Sequence, residues 1–216
     1  MAGGRGVAGG GDVAGGGDVA PAGRGGRLVD PQDVAGVLLT PGASADRDHH
    51  TLVALEAALA PLPVLRMHFA NRERGNPGPE RAEAAIPYLR ERADAWAAEL
   101  GVEPGRLVLG GRSFGGRMAS MAVAQGQPAA GLLLLSYPLH PPGKPDTLRI
   151  EHLPDVDVPT LAVSGQRDPF GTPDELAHHL AAIPGPLRLV TVPGDHSPAD
   201  PPVVAAVLDW FGRSPA

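Results

Sequence analysis

The sequence predicts an α/β fold: a mostly parallel central sheet of about six strands with helices on both faces. Three observations carry this. Short apolar runs of strand length alternate with helical patterns along the chain. The runs are apolar at successive positions, as strands covered on both faces require, rather than at every second position. One of them, Leu107-Val108-Leu109, enters a glycine-rich turn that opens directly into a helix.

Residues 1–26 stand apart from a single domain expected over 27–216. Val7–Asp12 reads VAGGGD and recurs as Val13–Asp18. The repeat is too glycine-rich and apolar-poor to offset its ordering entropy, so a flexible tail is expected. Val34–Leu39 is the first buried strand. Residues 49–60 form a helix with Leu52, Leu55, Ala58 and Leu59 on one face. Pro63–Phe69 is the second strand, and Asn71–Pro79 a polar loop. A long helix is expected from Glu80 to Leu100, broken or kinked near Pro87 and closed by Gly101. After the glycine-rich turn, a helical segment covers Met118–Ala124. Leu132–Leu135 is the next strand, and Tyr137–Pro159 a proline-rich connection. Thr160–Ser164 is a strand; Pro173–Ala182 is a helix with Thr172 as its N-cap. Leu187–Val192 is the last strand and Pro201–Phe211 the last helix.

Composition narrows the function. The 216 residues suffice for one large core. Formal net charge is −6 and no basic face is evident, which argues against a nucleic-acid partner. With no cysteine, there is no disulfide, thiolate nucleophile or cysteine-ligated metal. No apolar run approaches the ~20 residues of a membrane helix, so no membrane partner is expected. The N-terminus lacks the apolar core of a signal peptide, which makes the cytoplasm the expected location.

Gly111-Arg112-Ser113-Phe114-Gly115 fits the G-x-S-x-G nucleophile elbow. A serine held in a strained turn needs neighbours without Cβ, so that strand and helix can approach around it. Two other glycine-loop readings fail. A P-loop needs Lys-Ser/Thr after its last glycine, but Arg117-Met118 follows Gly116. The spacing of a dinucleotide loop, G-x-G-x-x-G, is absent.

In parallel sheets, chemistry collects at the carboxyl ends of the strands. Asp168 follows Thr160–Ser164, and His196 follows Leu187–Val192. The order Ser113, Asp168, His196 is the Ser…Asp…His order of α/β-hydrolases. The serine hydroxyl needs a base, the imidazole of His196 would supply it, and Asp168 would hold the imidazole tautomer. Asp195 is a competing acid, but it is adjacent to His196 and poorly placed to reach Nδ1. Oxyanion-hole N–H groups are expected from Phe114 and from Ala43, in the loop after the first strand. The pairs His49-His50 and His178-His179 diverge at successive positions and read as exposed; no metal site or cofactor is expected. His68 and His140 lie near strand ends and could line a pocket. Arg112, Arg167, Arg72, Arg74, Lys144 and Arg149 form a basic rim. Arg112, His140 and Arg167 are the substrate-binding candidates, set against ordinary solvated charge.

The stretches GGRSFGGRMAS, LLLLSYPLHPPGKPDTLR…HLP, VPTLAVSGQRDPFGTPDEL and GDHS resemble a family of small α/β-hydrolases. Its bacterial members are described as dienelactone-hydrolase-like. Its eukaryotic relatives include testis-expressed protein 30 and subunit 3 of the NSL histone-acetyltransferase complex. The resemblance runs from about Val34 to the C-terminus. It implies a hydrolase fold with minimal cap and a triad of Ser113, Asp168 and His196. One position departs: the family has His-Gly at the oxyanion loop where this chain has Pro41-Gly42, and proline brings no N–H. The expected function is a serine hydrolase cleaving a small ester or thioester through an acyl-enzyme on Ser113. Its partner would be a small acyl substrate in an open, shallow pocket. The alternative is a catalytically silent hydrolase-fold binding or scaffold protein.

Overall fold

The computed structural model describes residues 29–30, 32–76 and 80–214. The glycine-rich segment 1–26 lies outside the described residues. Among the described residues, six strands form one sheet in the order β2-β1-β3-β4-β5-β6, and every neighbouring pair is parallel. They are β1 (Gly36–Thr40), β2 (Val64–Arg66), β3 (Leu107–Arg112), β4 (Gly131–Leu135), β5 (Thr160–Gly165) and β6 (Leu187–Val192). The helices are α1 (His50–Leu59), α2 (Ala70–Glu73), α3 (Ala82–Leu100), α4 (Phe114–Ala124), α5 (Pro173–Leu180) and α6 (Asp200–Trp210).

Alternate side chains along each strand go to opposite faces, and both faces are buried. Leu38, Leu109, Leu132, Leu134 and Ala162 pack on one side against α3, α4 and α5. Val37, Leu39, Val108, Leu133, Leu135, Leu161 and Val163 pack on the other against α1 and α6. This is why the central strands read as unbroken apolar runs.

Four local expectations change. Pro87 does not break α3, which runs uninterrupted from Ala82 to Leu100. Ile86, Leu89, Ala93 and Trp96 bury one face of this helix, and that packing outweighs the single lost hydrogen bond. The second strand is only Val64–Arg66, and the short helix α2 interrupts the predicted loop. The helix after the glycine-rich turn starts at Phe114, four residues before Met118. The N-cap of α5 is as expected, with a capping box between Thr172 and Glu175.

From β1 the chain moves outward to β2, then returns to β3 on the other side of β1. That reversal opens a crevice at the carboxyl ends of β1 and β3. Thr40 at the end of β1 lies level with Gly111 on β3. Among the described residues, no helix is long and apolar enough to cross a membrane.

Candidate active site

Ser113 connects β3 to α4 with φ 51 and ψ −117, a left-handed conformation costly for a residue with a Cβ. Its neighbours make the turn possible. A Cβ on Gly111 would strike the carbonyl oxygen and hydroxyl of Thr40, and one on Gly115 would strike Thr40 and the carbonyl of Pro41. The Thr40 hydroxyl donates to the carbonyl of Gly110 at 2.9 Å, locking the end of β1 onto the elbow strand. The glycines therefore bring the β1 loop over the serine: a Cβ on Gly42 would sit 3.7 Å from Ser113 Cβ.

Ser113 Oγ stands 2.8 Å from His196 Nε2. The opposite ring nitrogen, Nδ1, lies 2.9 and 2.8 Å from the two carboxylate oxygens of Asp168. A carboxylate only accepts, so Nδ1 carries the proton and Nε2 presents its lone pair to the serine hydroxyl. Asp168 is itself held: the Phe170 N–H donates to Oδ1 at 2.9 Å, and the Ser164 hydroxyl donates to Oδ2 at 3.2 Å. Asp168 is buried, whereas Ser113 and His196 are half-buried at the surface of the crevice. Asp195, the competing acid, is exposed, and its carboxylate accepts from the Ser197 N–H at 2.9 Å.

Phe114 is the first residue of α4, where an N–H has no acceptor within the helix. Ala43 is half-buried in the loop after β1, and its N–H meets no protein acceptor among the described residues. Phe114 directly follows Ser113, and Ala43 follows Gly42, on which a Cβ would sit 3.7 Å from Ser113 Cβ.

The substrate-binding candidates fare differently. Arg112 Nη2 donates to the His196 carbonyl at 2.8 Å and to the Ser197 hydroxyl. Burial lowers its pKa from the usual guanidinium value, while Asp168 and Asp195 oppose that shift. His140 is buried; Nδ1 meets the Pro141 carbonyl at 2.9 Å and Nε2 lies 3.6 Å from Glu175. Arg167 is exposed, and its N–H donates to the carbonyl of Gly194 at 2.9 Å. His68 is half-buried, with Nδ1 accepting from the Arg47 N–H at 3.4 Å.

His49 departs from the exposed reading of the histidine pairs. It is half-buried as the N-cap of α1, and burial followed by the charge of Arg112 lowers its pKa to about 4. His50 is exposed and bonds Asp200 at 2.8 Å, tying α1 to α6. Among the described residues, no group of three or more His, Asp or Glu side chains is placed to hold a metal.

Sequence reasoning missed three contributors. Ser164 and the Phe170 N–H both bond Asp168, and the Phe170 ring lies 4.1 Å from the His196 ring. The RDPFG stretch carried the signal: a residue two beyond an aspartate is well placed to return its N–H to that carboxylate.

The family model described as "Alpha/beta hydrolase domain" matches residues 33–201. The chain belongs to the α/β-hydrolase family. The expected hydrolase fold is therefore correct, and α/β-hydrolases of known structure share it. Dienelactone hydrolase from Anabaena variabilis is 19% identical with TM-score 0.64, covering 87% of this chain and 90% of its own. Est1E from Butyrivibrio proteoclasticus, solved with ferulic acid, is 17% identical with TM-score 0.65, covering 83% and 89%. The Bacillus cereus carboxylesterase is 17% identical with TM-score 0.61, covering 83% and 88%.

Proposed function

We propose that this α/β-hydrolase is a serine hydrolase that cleaves a small ester or thioester-type acyl substrate through an acyl-enzyme on Ser113. The observation that carries this is the unbroken hydrogen-bonded line Asp168–His196–Ser113. In this reading His196 Nε2 takes the hydroxyl proton as Ser113 Oγ attacks the acyl carbonyl. The N–H groups of Phe114 and Ala43 hold the oxyanion. The same imidazole then protonates the leaving alcohol or thiol, and water repeats the cycle to free the acid. Asp168 fixes the tautomer and stabilises the imidazolium. No step calls for a cofactor. The bound ferulic acid in Est1E supports a small acyl group as the class to test first. Ser113 and His196 are half-buried, and among the described residues no separate domain covers them, which favours a shallow pocket and a small or flexible substrate. A cytoplasmic location remains part of the proposal.

Pro41 favours a second reading, a catalytically silent hydrolase-fold binding protein, because it offers no N–H at the head of the oxyanion loop. A fluorophosphonate probe followed by intact mass separates the two. The hydrolase reading expects one adduct on wild type and none on Ser113→Ala or His196→Ala. A folded wild type that takes no adduct supports the binding protein instead.

A further inference from the structure

Two of the chain's distinctive stretches contain polar residues that the triad does not use. GGRSFGGRMAS holds Arg117 and Ser120; YPLHPPGKPDTLR…HLP holds Tyr137, Arg149 and His152. The fold gathers all five between α4 and the connection that follows β4. The Ser120 hydroxyl donates to the carbonyl of Arg117 at 2.8 Å and stands 2.7 Å from His152 Nε2. With the hydroxyl proton given to a carbonyl, the Nε2–H of His152 donates to Ser120 Oγ. The Tyr137 hydroxyl donates to the carbonyl of Arg149 at 2.6 Å. These bonds pin the connection against α4 and leave Arg117 and Arg149 within each other's electrostatic reach.

Neither arginine has an acidic partner among the described residues. Among the described residues the buried Arg117 Nε has no hydrogen-bond partner. Arg149 Nη1 donates to the carbonyl of Pro138 at 3.3 Å. Both side chains are half-buried. Burial first, and then the charge of Arg117, lowers the Arg149 guanidinium below its usual value. Carboxylates are not scarce: the chain has 24 acidic and 18 basic residues, and Arg66, Arg74 and Arg188 each hold one. Glu151 and Asp155, whose charges act on His152, are exposed and pair with neither arginine. Half-buried like charges without a counter-ion disfavour the folded state, and an oxyanion in a guanidinium fork removes that penalty.

We propose that Arg117 and Arg149 form an anion-binding site for the carboxylate or phosphate group of a small molecule. The site is separate from the triad, although the Arg117 N–H bonds the Ser113 carbonyl at 3.1 Å and so lies one helical turn away. It does not depend on the hydrolase reading, because ligand binding there needs no serine chemistry.

The test is thermal unfolding of the full chain as inorganic phosphate or acetate replaces chloride at constant ionic strength. Wild type and Ser113→Ala are expected to gain a saturable rise in Tm over chloride alone. Arg117→Met and Arg149→Met are expected to lose it, while Arg188→Met, on the edge strand β6, keeps it. The anion that saturates at the lower concentration identifies the group the site takes. No rise over chloride in wild type overturns the proposal, as does a rise that survives both arginine substitutions. Should either variant fold poorly, the His152 ring resonances of wild type provide the second readout: saturable movement with the anion supports the site, and no movement overturns it. Loss of fluorophosphonate labelling would leave these results untouched, so the two proposals fail separately.

Discussion

Arg112 Nη2 donates to the backbone carbonyl of His196 at 2.8 Å, so the residue before Ser113 holds the loop that carries the imidazole bonded to that serine. The same guanidinium reaches the Ser197 hydroxyl, and its Nη1 would be 3.2 Å from a Cβ on Gly42. One side chain therefore links the elbow strand, the loop of His196 and the loop after β1.

Arg112→Met should leave the fold intact and slow fluorophosphonate labelling of Ser113 by about 10–100-fold, since small misplacements of a catalytic group cost that much. Arg112→Lys should recover part of the rate by reaching one acceptor of the two. Labelling kinetics beside circular dichroism check this. An unchanged rate in Arg112→Met would mean that the histidine loop holds itself.

Asp168→Asn should lower the labelling rate on the order of 10³–10⁴-fold, because an amide that donates to Nδ1 turns the imidazole to the wrong tautomer. Asp195→Asn should change it by less than about threefold, since that carboxylate faces the Ser197 N–H rather than the ring. Equal losses in the two variants would sink the assignment of Asp168 as the acid.

The sheet was legible in the sequence because β1, β3, β4 and β5 are buried on both faces and so read as unbroken apolar runs. The grouping of Ser113, Asp168 and His196 was legible because each follows a strand, and parallel strands bring their ends to one edge. What stayed hidden depends on contacts between distant segments. The loss of Arg112 from the solvated rim needs the loop 84 residues on to fold against it. The Ser120–His152 bond joins residues 32 apart, and neither has a local reason to point at the other. The uninterrupted α3 shows the reverse failure: Pro87 is a strong local signal that tertiary packing overrides.

Gly111→Ala should destabilise the fold by about 3 kcal/mol or more, because the added methyl meets the backbone of Thr40 on the neighbouring strand and no rotamer relieves it. Gly105→Ala is the control: its nearest neighbour would be 3.7 Å away. Urea unfolding of both variants measures the contrast. Similar midpoints would show that β1 and β3 can separate at their carboxyl ends.

His152 should make the fold acid-sensitive well above the carboxylate range. Burial, then the charge of Arg117, lowers its pKa from 6.5 to about 4, with Glu151 and Asp155 pulling weakly the other way. The folded state therefore prefers the neutral ring, whose Nε2–H is given to Ser120. Between about pH 6.5 and 4 the unfolded chain binds a proton that the folded chain refuses. The stability from His152 is thus complete above pH 6.5 and is lost as pH falls toward 4; the loss is at most roughly 3 kcal/mol. Gln at this position can still donate to Ser120 but does not titrate. Thermal unfolding across this window should show a steeper acid-side fall for wild type than for His152→Gln, with the two converging in slope above pH 7. His49 titrates low in both proteins, so its contribution cancels in the difference. Parallel curves from pH 7 to 4.5 would show that the His152 ring admits its proton without leaving Ser120.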